Sequence, residues 1–452
     1  MHLPTLHPTG AFMKRFSVER SESEHYTSHS GLGLVGMLLN EHTSLCRRAE
    51  QAAYGSPSVS HADVIRTYVG LLAIGKSDFE AVSGVKPDPW FKNALDIRKV
   101  PSAETLRQRL DRHAGEFEKV VPESSIELLK STRAPITAIA RGHVPLDLDV
   151  FTMDNSDTKK DGVSFTYQGF CGYAPIAAYL GEEGWCIGME LREGSQHGQT
   201  DFIAFLEKTI ARARKLTSKR LLVRADSAHD AIDTLVALEG QKRVDYIIKW
   251  NPRRADQIEA RDRVFCEGTV SSPRPGKRIG LLATRQRREY KGKTYFFALL
   301  LRVTEHTTDR TGQMLLVPKI DLEGWWTSLP NPEEAIKLYE GRGKSEQFHS
   351  EIKTDLDLER LPSGKFATNS LVLSLGSFVY NMLRVIGQFG LLGSKSPVRH
   401  PVKRRRIRTV LQEIMYVAAR LVRTGRRLIL RFGLHCPAFD AYRQLLLRFS
   451  PA

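Results

Sequence analysis

Cysteine is scarce in this chain. The five residues Cys46, Cys171, Cys186, Cys266 and Cys436 lie far apart and form no C-x-x-C pair, which excludes a zinc knuckle or a dithiol redox motif and points to a reducing compartment. An uninterrupted membrane-length apolar run is also missing. The longest candidate, "SLVLSLGSFVYNMLRVIGQFGLLG", is broken by Asn381 and Arg384, and "MHLPTLHPTGAFMKRF" has no apolar core of the kind a signal peptide carries. "GRGKS" is not a phosphate loop, because that motif needs a glycine where Leu338 stands. His197 in "GSQHG" has no second ligand at metal spacing, and no internal repeat is evident.

Acidic residues are outnumbered. Against 51 Asp and Glu stand 67 Lys and Arg, a formal charge of +16, so a polyanion is the natural partner: clustered cations gain affinity by releasing counterions from phosphates. Hydrophobic content of 41% over 452 residues is enough for about two to four packed units.

Along the chain, residues 1–59 read as a partly disordered lead-in, rich in Ser, His and Gly, that ends in a first helix. Residues 60–138 have helical apolar spacing, as in "ADVIRTYVGLLAIG" and "SAETLRQRLDRHAGEFEKVV", with Ser102 as the expected cap of a helix whose Arg107, Arg109 and Arg112 face either solvent or DNA. From 139 to 250 the order is β-β-β-α-β-α-β, through "VPLDLDVF", "APIAAYLG", "WCIGMEL", "KRLLVRAD" and "VDYIIKW". This α/β order resembles the ribonuclease-H-like fold, a mixed sheet with helices in which the first and fourth strands are neighbours. Residues 251–332 read as a β-rich insertion of two or three strands around a Lys-Gly-Lys turn, 333–395 as the second part of the core, and 396–452 as a basic C-terminal region. Within that region Thr424-Gly425 is expected to turn a hairpin carrying Arg420, Arg423, Arg426, Arg427 and Arg431.

Two aspartates fall at strand ends: Asp149 in "PLDLDVF" and Asp226 after "LLVRA". On adjacent strands about 4.8 Å apart, carboxylates at matching ends can hold a divalent cation between them. Asp147 shares a strand face with Asp149 and Asp154 follows closely, so either competes for the first position; Asp226 also suits a helix cap. A third carboxylate comes from "LYEGRGKSEQFHSEIK". At about 100° per residue Tyr339, Arg342, Glu346 and Lys353 lie at roughly 0, 300, 340 and 320°, a polar stripe opposite Phe348 and Ile352. Clustered carboxylates repel unless cations neutralise them, and hard oxygen donors favour Mg²⁺, with Mn²⁺ as a substitute.

The spacing Tyr339-x2-Arg342-x3-Glu346-x6-Lys353 resembles the Y-R-E-K signature of DDE transposases from bacterial insertion sequences. The segments "LDLDVFTMDNSDTKKDGVSFTYQGFCGYAPIAAYL", "LREGSQH" and "LLVRADSAHD" are similar to those that carry the first two catalytic aspartates. The resemblance runs from about residue 95 to the C-terminus. It implies Asp149, Asp226 and Glu346 as catalytic metal ligands, and Tyr339, Arg342 and Lys353 as DNA contacts. It implies also an insertion that approaches the DNA end, with Trp325 or Trp326 stacking on a base unless both belong to the core. Many relatives have Trp after the signature Arg, whereas this chain has Gly343, with Gly341 before Arg342; regular helix is then expected only from near Lys344. The activity implied is cleavage of terminal inverted repeats and joining to target DNA by a homodimer in the bacterial cytoplasm, beside the nucleoid. A catalytically silent DNA-binding regulator of the same descent is the alternative.

Overall fold

A computed structural model describes residues 17–55, 58–253, 255–309, 311–425 and 427–450. Apolar spacing in the first third builds helices α1 (Leu32–Glu41), α2 (Leu45–Ala52), α3 (His61–Ala73), α4 (Ala103–Arg112) and α5 (Ala114–Ser131). Ser102 caps α4 as expected, accepting from Thr105 N at 3.2 Å. The helix buries Ala103, Leu106 and Leu110 and leaves Arg107 and Arg112 exposed, with Arg107 paired to Glu104.

The main sheet then draws on nine strands: β1 (Val144–Val150), β2 (Ile176–Leu180), β3 (Trp185–Glu190), β4 (Leu221–Ala225), β5 (Val244–Lys249), β6 (Thr269–Arg274), β7 (Lys277–Tyr290), β8 (Lys293–Thr308) and β9 (Met314–Thr327). They form one mixed sheet in the order β6-β7-β8-β9-β5-β4-β1-β2-β3. β1 runs antiparallel to β2 and parallel to β4, in register from Val144↔Leu221 to Asp147↔Arg224, and β4 is parallel to β5. β4 is buried along its whole length and β1 along all but its last residue, as expected of strands covered on both faces. The crossovers are α6 (Phe202–Leu216), before β4, and α7 (Ile232–Glu239), before β5.

The insertion is larger than its sequence suggested. It holds helix α8 (Gln257–Glu267) and four strands, and β9 returns to pair with β5 through Trp325↔Lys249, Trp326↔Ile248 and Thr327↔Ile247, so the insertion extends the core sheet. β6 escaped the sequence reading because every residue in it is exposed, leaving no alternation to detect. The Lys-Gly turn was readable: Lys291 and Gly292 both have positive φ, as a tight hairpin requires.

After the sheet come α9 (Pro332–Glu340), a 3₁₀ turn at Gly341–Lys344, α10 (Ser345–Ser350) and a π turn at Glu351–Asp355. Helix α11 (Phe366–Gly390) then threads the interior. It is long and apolar enough to cross a membrane, yet 94% of its most apolar stretch is buried inside the protein. Its two polar breaks are structural. Asn381 bonds the Cys186 backbone at 3.0 and 2.7 Å and Ser125 Oγ at 2.8 Å, while Arg384 meets the buried Glu351 and donates to Tyr380 Oη at 2.6 Å.

Two expectations about the ends are revised. Within the lead-in, residues 25–27 form a strand and α1 buries five apolar side chains, so order begins well before residue 59; residues 1–16 lie outside the described residues. The helices of 60–138 do not stand apart, because one hydrophobic core runs from Leu32 through α11 to Phe449. In the C-terminal region the hairpin forms between Ala419–Thr424 and Arg427–Arg431, and its first strand pairs with His25–Thr27; Arg426 lies outside the described residues.

Candidate active site

The C-terminal ends of β1 and β4 open into a cleft of about 540 Å³ lined by Asp149, Asp226, Glu346, Arg342, Lys353, His349, Tyr167 and Gln168 among others. Parallel pairing of β1 with β4 brings the two aspartates to one sheet edge, and the turn into α10 brings Glu346 across from them. Sequence reasoning nominated these three, and all three line this cleft.

Asp149 is the buried member. Arg342 Nη2 lies 2.6 Å from its Oδ1 and also donates to Leu148 O at 3.1 Å; Ser345 Oγ is 3.2 Å from Oδ2. Burial pushes the Asp149 carboxyl up to about 6, opposed by the Arg342 charge and assisted by the negative charge of Asp226. Asp226 is likewise raised, chiefly by burial, and does serve as a cap: its Oδ1 accepts from Ala228 N at 3.2 Å. Glu346 is exposed and has no hydrogen-bond or ion-pair partner among the described residues. Among those residues no three His, Cys, Asp or Glu side chains converge closely enough to hold a metal ion as they stand.

The competing aspartates are engaged elsewhere. Asp147 is clamped by Arg224, Nε to Oδ1 at 2.6 Å and Nη2 to Oδ2 at 2.7 Å, and Arg224 Nη1 also bonds Leu338 O. Asp154 turns away to accept from Ser156 N at 2.8 Å. His197 accepts from Gln199 N at 3.2 Å and braces its own loop.

The stripe residues have local partners. Lys353 Nζ donates to Thr152 O at 2.8 Å and sits 3.0 Å from Glu359 Oε2. Tyr339 is half-buried, edge-on to Trp325 at 6.0 Å between ring centroids, and its phenol is pushed up to about 12 by burial. Trp325 and Trp326 are 1% and 2% exposed, so neither ring is open to a base. The stacking expectation is therefore corrected to core packing: Lys249 Nζ sits 4.2 Å over Trp325, and Trp326 Nε1 donates to Asp230 Oδ1 at 2.8 Å. The stripe itself is bent. α9 reaches Glu340, so Tyr339 is helical after all, and the two glycines tighten the next turn to 3₁₀ before α-helix resumes at Ser345.

Two histidines were missed. His229 stacks on Phe202 at 3.8 Å with Nε2 3.7 Å from Asp226 Oδ1, and His349 stacks on Phe151 at 4.3 Å with Nδ1 3.9 Å from Asp149 Oδ2. Burial, with the Arg342 charge, holds both near 3, so each is a neutral imidazole beside a carboxylate. A repeated spacing was there to be read: each histidine follows a cleft carboxylate by three residues, Asp226-x2-His229 and Glu346-x2-His349.

Fold and site together define a mixed α/β protein with an acidic cleft at the edge of its parallel strands. Residues 18–452 match the family described as Transposase DDE domain group 1, and the chain belongs to that family. Members of this family generally depend on divalent metal. Among solved structures the chain is similar to the piggyBac transposase in a synaptic complex with hairpin DNA, at 10% identity and a TM-score of 0.43, over 87% of this chain and 82% of that one. No curated protein matches it.

Proposed function

We propose that this protein is a DDE transposase that binds the terminal inverted repeats of a mobile element, cleaves DNA strands there and joins them to target DNA. The observation that carries the reading is the meeting of Asp149, Asp226 and Glu346 on one cleft in a chain of the DDE family. The strand order β3-β2-β1-β4-β5, with β1 and β4 parallel, supports a ribonuclease-H-like core.

The residues fit divalent metal by their chemistry. All three are hard oxygen donors, and the cleft sets four carboxylates (Asp149, Asp226, Glu346, Glu359) against two cations (Arg342, Lys353). Asp149, Asp226 and Glu346 would hold the ion, with Mg²⁺ the expected metal and Mn²⁺ a substitute. When bound, two such ions activate an attacking oxygen and stabilise the leaving one in phosphodiester transfer.

The chain's own groups do the rest. Glu346, exposed and without a partner among the described residues, is the carboxylate placed to turn toward the aspartates. Arg342 meets Asp149 through Nη2 while its Nε has no partner among the described residues, and Lys353 sits beside Glu359, so each cation offered to a DNA phosphate is shared with a cleft carboxylate. Tyr339 packs edge-on against Trp325, with the Arg342 charge near its phenol. Neutral His229 and His349 lie beside Asp226 and Asp149 at 3.7 and 3.9 Å. Because the cleft is itself acidic, most affinity for DNA must come from basic residues elsewhere on the chain, whose overall net charge is +16. The reading carries with it a homodimer that pairs two ends and a cytoplasmic, nucleoid-associated location.

The test is purified protein with end-containing duplex, in Mg²⁺ or EDTA, wild type against Glu346→Gln. Nicking that needs metal and falls at least about a hundredfold in the variant is expected. Metal-dependent nicking that persists in Glu346→Gln would remove Glu346 from the site, and tight binding without cleavage under any metal would favour the silent regulator.

A further inference from the structure

A run of cations follows α11. Lys403, Arg404, Arg405 and Arg406 are consecutive, and by charge alone they would serve a polyanion. The contacts of the three arginines point inward instead. Arg405 is buried and donates to Leu391 O at 2.9 Å and Val398 O at 2.7 Å, which ties the run to the end of α11. Arg404 lies over the Phe348 ring at 4.4 Å, with Nη2 donating to Gln347 Oε1 at 2.7 Å and Nη1 to Glu182 O at 3.4 Å. Arg406 donates through Nε to Asp355 Oδ2 at 3.0 Å and through Nη2 to Ser350 Oγ at 2.9 Å, and Arg408 N reaches the same Asp355 oxygen at 3.0 Å. Lys403 differs: its side chain is 75% exposed and meets Glu182 at 3.0 Å.

Gln347, Phe348 and Ser350 belong to α10 and Asp355 to the π turn after it, so residues 403–408 form a strap across the helix that carries Glu346. α10 needs such support. It is six residues long, has no side-chain cap and lies between a 3₁₀ turn and a π turn, too short to hold a direction by its own hydrogen bonds. Its cleft side is fixed by Ser345 on Asp149 and by His349 on Phe151. At about 100° per residue, Glu346 falls between that side and the one bearing Gln347 and Ser350, which the strap holds. Contacts on both flanks therefore fix how the helix is rotated about its axis, and with it the direction in which the Glu346 side chain leaves the backbone.

We propose that Arg404 and Arg406 are positioning residues for Glu346: they hold α10 at the rotation that lets its carboxylate join Asp149 and Asp226 on a divalent ion. Neither touches DNA or metal in this role. A ligand set tolerates only about 0.5 Å of misplacement, and Glu346 has no hydrogen bond of its own among the described residues, so its register must come from the helix beneath it. This rests on the transposase reading. It gives part of the basic C-terminal region a task other than DNA contact.

Charge and position are separated by comparing a double variant, Arg404→Ala with Arg406→Ala, against Lys403→Ala in the full-length protein. Three quantities are read: affinity for end-containing duplex in EDTA over a salt series, Mn²⁺ affinity from the electron paramagnetic resonance signal of the free ion, and nicking at saturating duplex. For the double variant, duplex affinity is expected within about twofold of wild type with an unchanged salt slope, Mn²⁺ binding about fivefold or more weaker, and nicking down about tenfold or more. Lys403→Ala should match wild type in Mn²⁺ affinity and nicking. Gln347→Ala removes an exposed side chain and leaves the strap in place; it should weaken Mn²⁺ binding as Arg404→Ala does, with no further loss when the two are combined. Should melting show the double variant unfolded, Gln347→Ala decides. Wild-type Mn²⁺ affinity in the deciding variant overturns the proposal, as does weaker duplex binding with a flatter salt slope and full nicking at saturation, the mark of phosphate contact. A wild-type protein that neither binds nor nicks the end overturns the transposase reading, and the Mn²⁺ affinities then still decide what the strap does.

Discussion

Arg342 sits between two loyalties. The role proposed for it is to grip phosphate, but its guanidinium faces Asp149 at 2.6 Å, with both side chains only 13% and 12% exposed. Burial works against its charge, and Asp149 and Tyr339 more than offset this, so the group stays firmly protonated. Removing it strands a buried carboxylate beside Asp226. Arg342→Ala is therefore expected to lower stability by about 3 kcal/mol, read as a fall in the urea midpoint, and Asp149→Asn in the same background should recover much of it. A residue that served only to hold DNA would leave the midpoint of the free protein unchanged, so an unaltered midpoint would count against the ion pair. The pair also shows how far residue-level reading went. Spacing marked Arg342 and Asp149 separately; their mutual contact joins residues 193 positions apart in sequence and depends on how α9 and α10 dock on the sheet.

At the scale of the element, the bend between α9 and α10 is where sequence and structure diverge most usefully. Gly341 and Gly343 looked alike as helix breakers, but their surroundings differ. A Cβ at Gly341 would meet Arg224 Nη1 at 3.2 Å, whereas one at Gly343 meets nothing within 4 Å. Gly341 therefore makes room for the Arg224 clamp that joins Asp147 of β1 to Leu338 of α9. Neither glycine is among those with positive φ. Gly343→Ala should then stabilise the protein by about 0.4–1 kcal/mol by restricting the unfolded chain, while Gly341→Ala should gain less or lose, because Arg224 must shift. Denaturant midpoints of the two variants decide this, and equal gains would refute the steric distinction. The insertion teaches a related lesson. Alternation revealed β7 and β8, whereas exposed β6 gave no pattern, and the pairing of β9 with β5 is a long-range choice that no local signal encodes.

For the molecule as a whole, a single core joins the N-terminal helices, the sheet and the C-terminal helix Phe439–Phe449, whose Tyr442, Leu445 and Phe449 are buried. That continuity separates four of the five free cysteines into two pairs, with Cys436 intermediate. Cys171 and Cys266 are exposed, whereas Cys46 and Cys186 are buried and their thiols are pushed up to about 12, chiefly by burial. In native protein a thiol reagent at pH 8 should modify the exposed pair quickly and the buried pair only after denaturant is added; rapid native labelling of Cys46 or Cys186 would contradict the continuous core. Linkage gives a sign as well. The folded values lie above the ordinary thiol value of 9.0, so the stability these groups contribute is intact below about pH 9. It is lost as pH rises from there toward 12, where the unfolded chain sheds protons that the folded chain retains.

What the sequence by itself determined was whatever is local or periodic: the strand and helix order of the core, the Ser102 cap, the Lys-Gly turn, the terminal hairpin, and the candidate carboxylates at strand ends and on one helix face. Each of these depends on neighbours a few residues away. Only the tertiary structure decided which groups meet. It engaged Asp147 with Arg224 and left Asp149 in the cleft, buried Trp325 and Trp326, exposed Tyr167, and set a neutral histidine beside each aspartate. The physical reason is that ion pairing, burial and exposure depend on distances between segments remote in sequence, which the packing of the sheet against α9, α10 and α11 alone establishes.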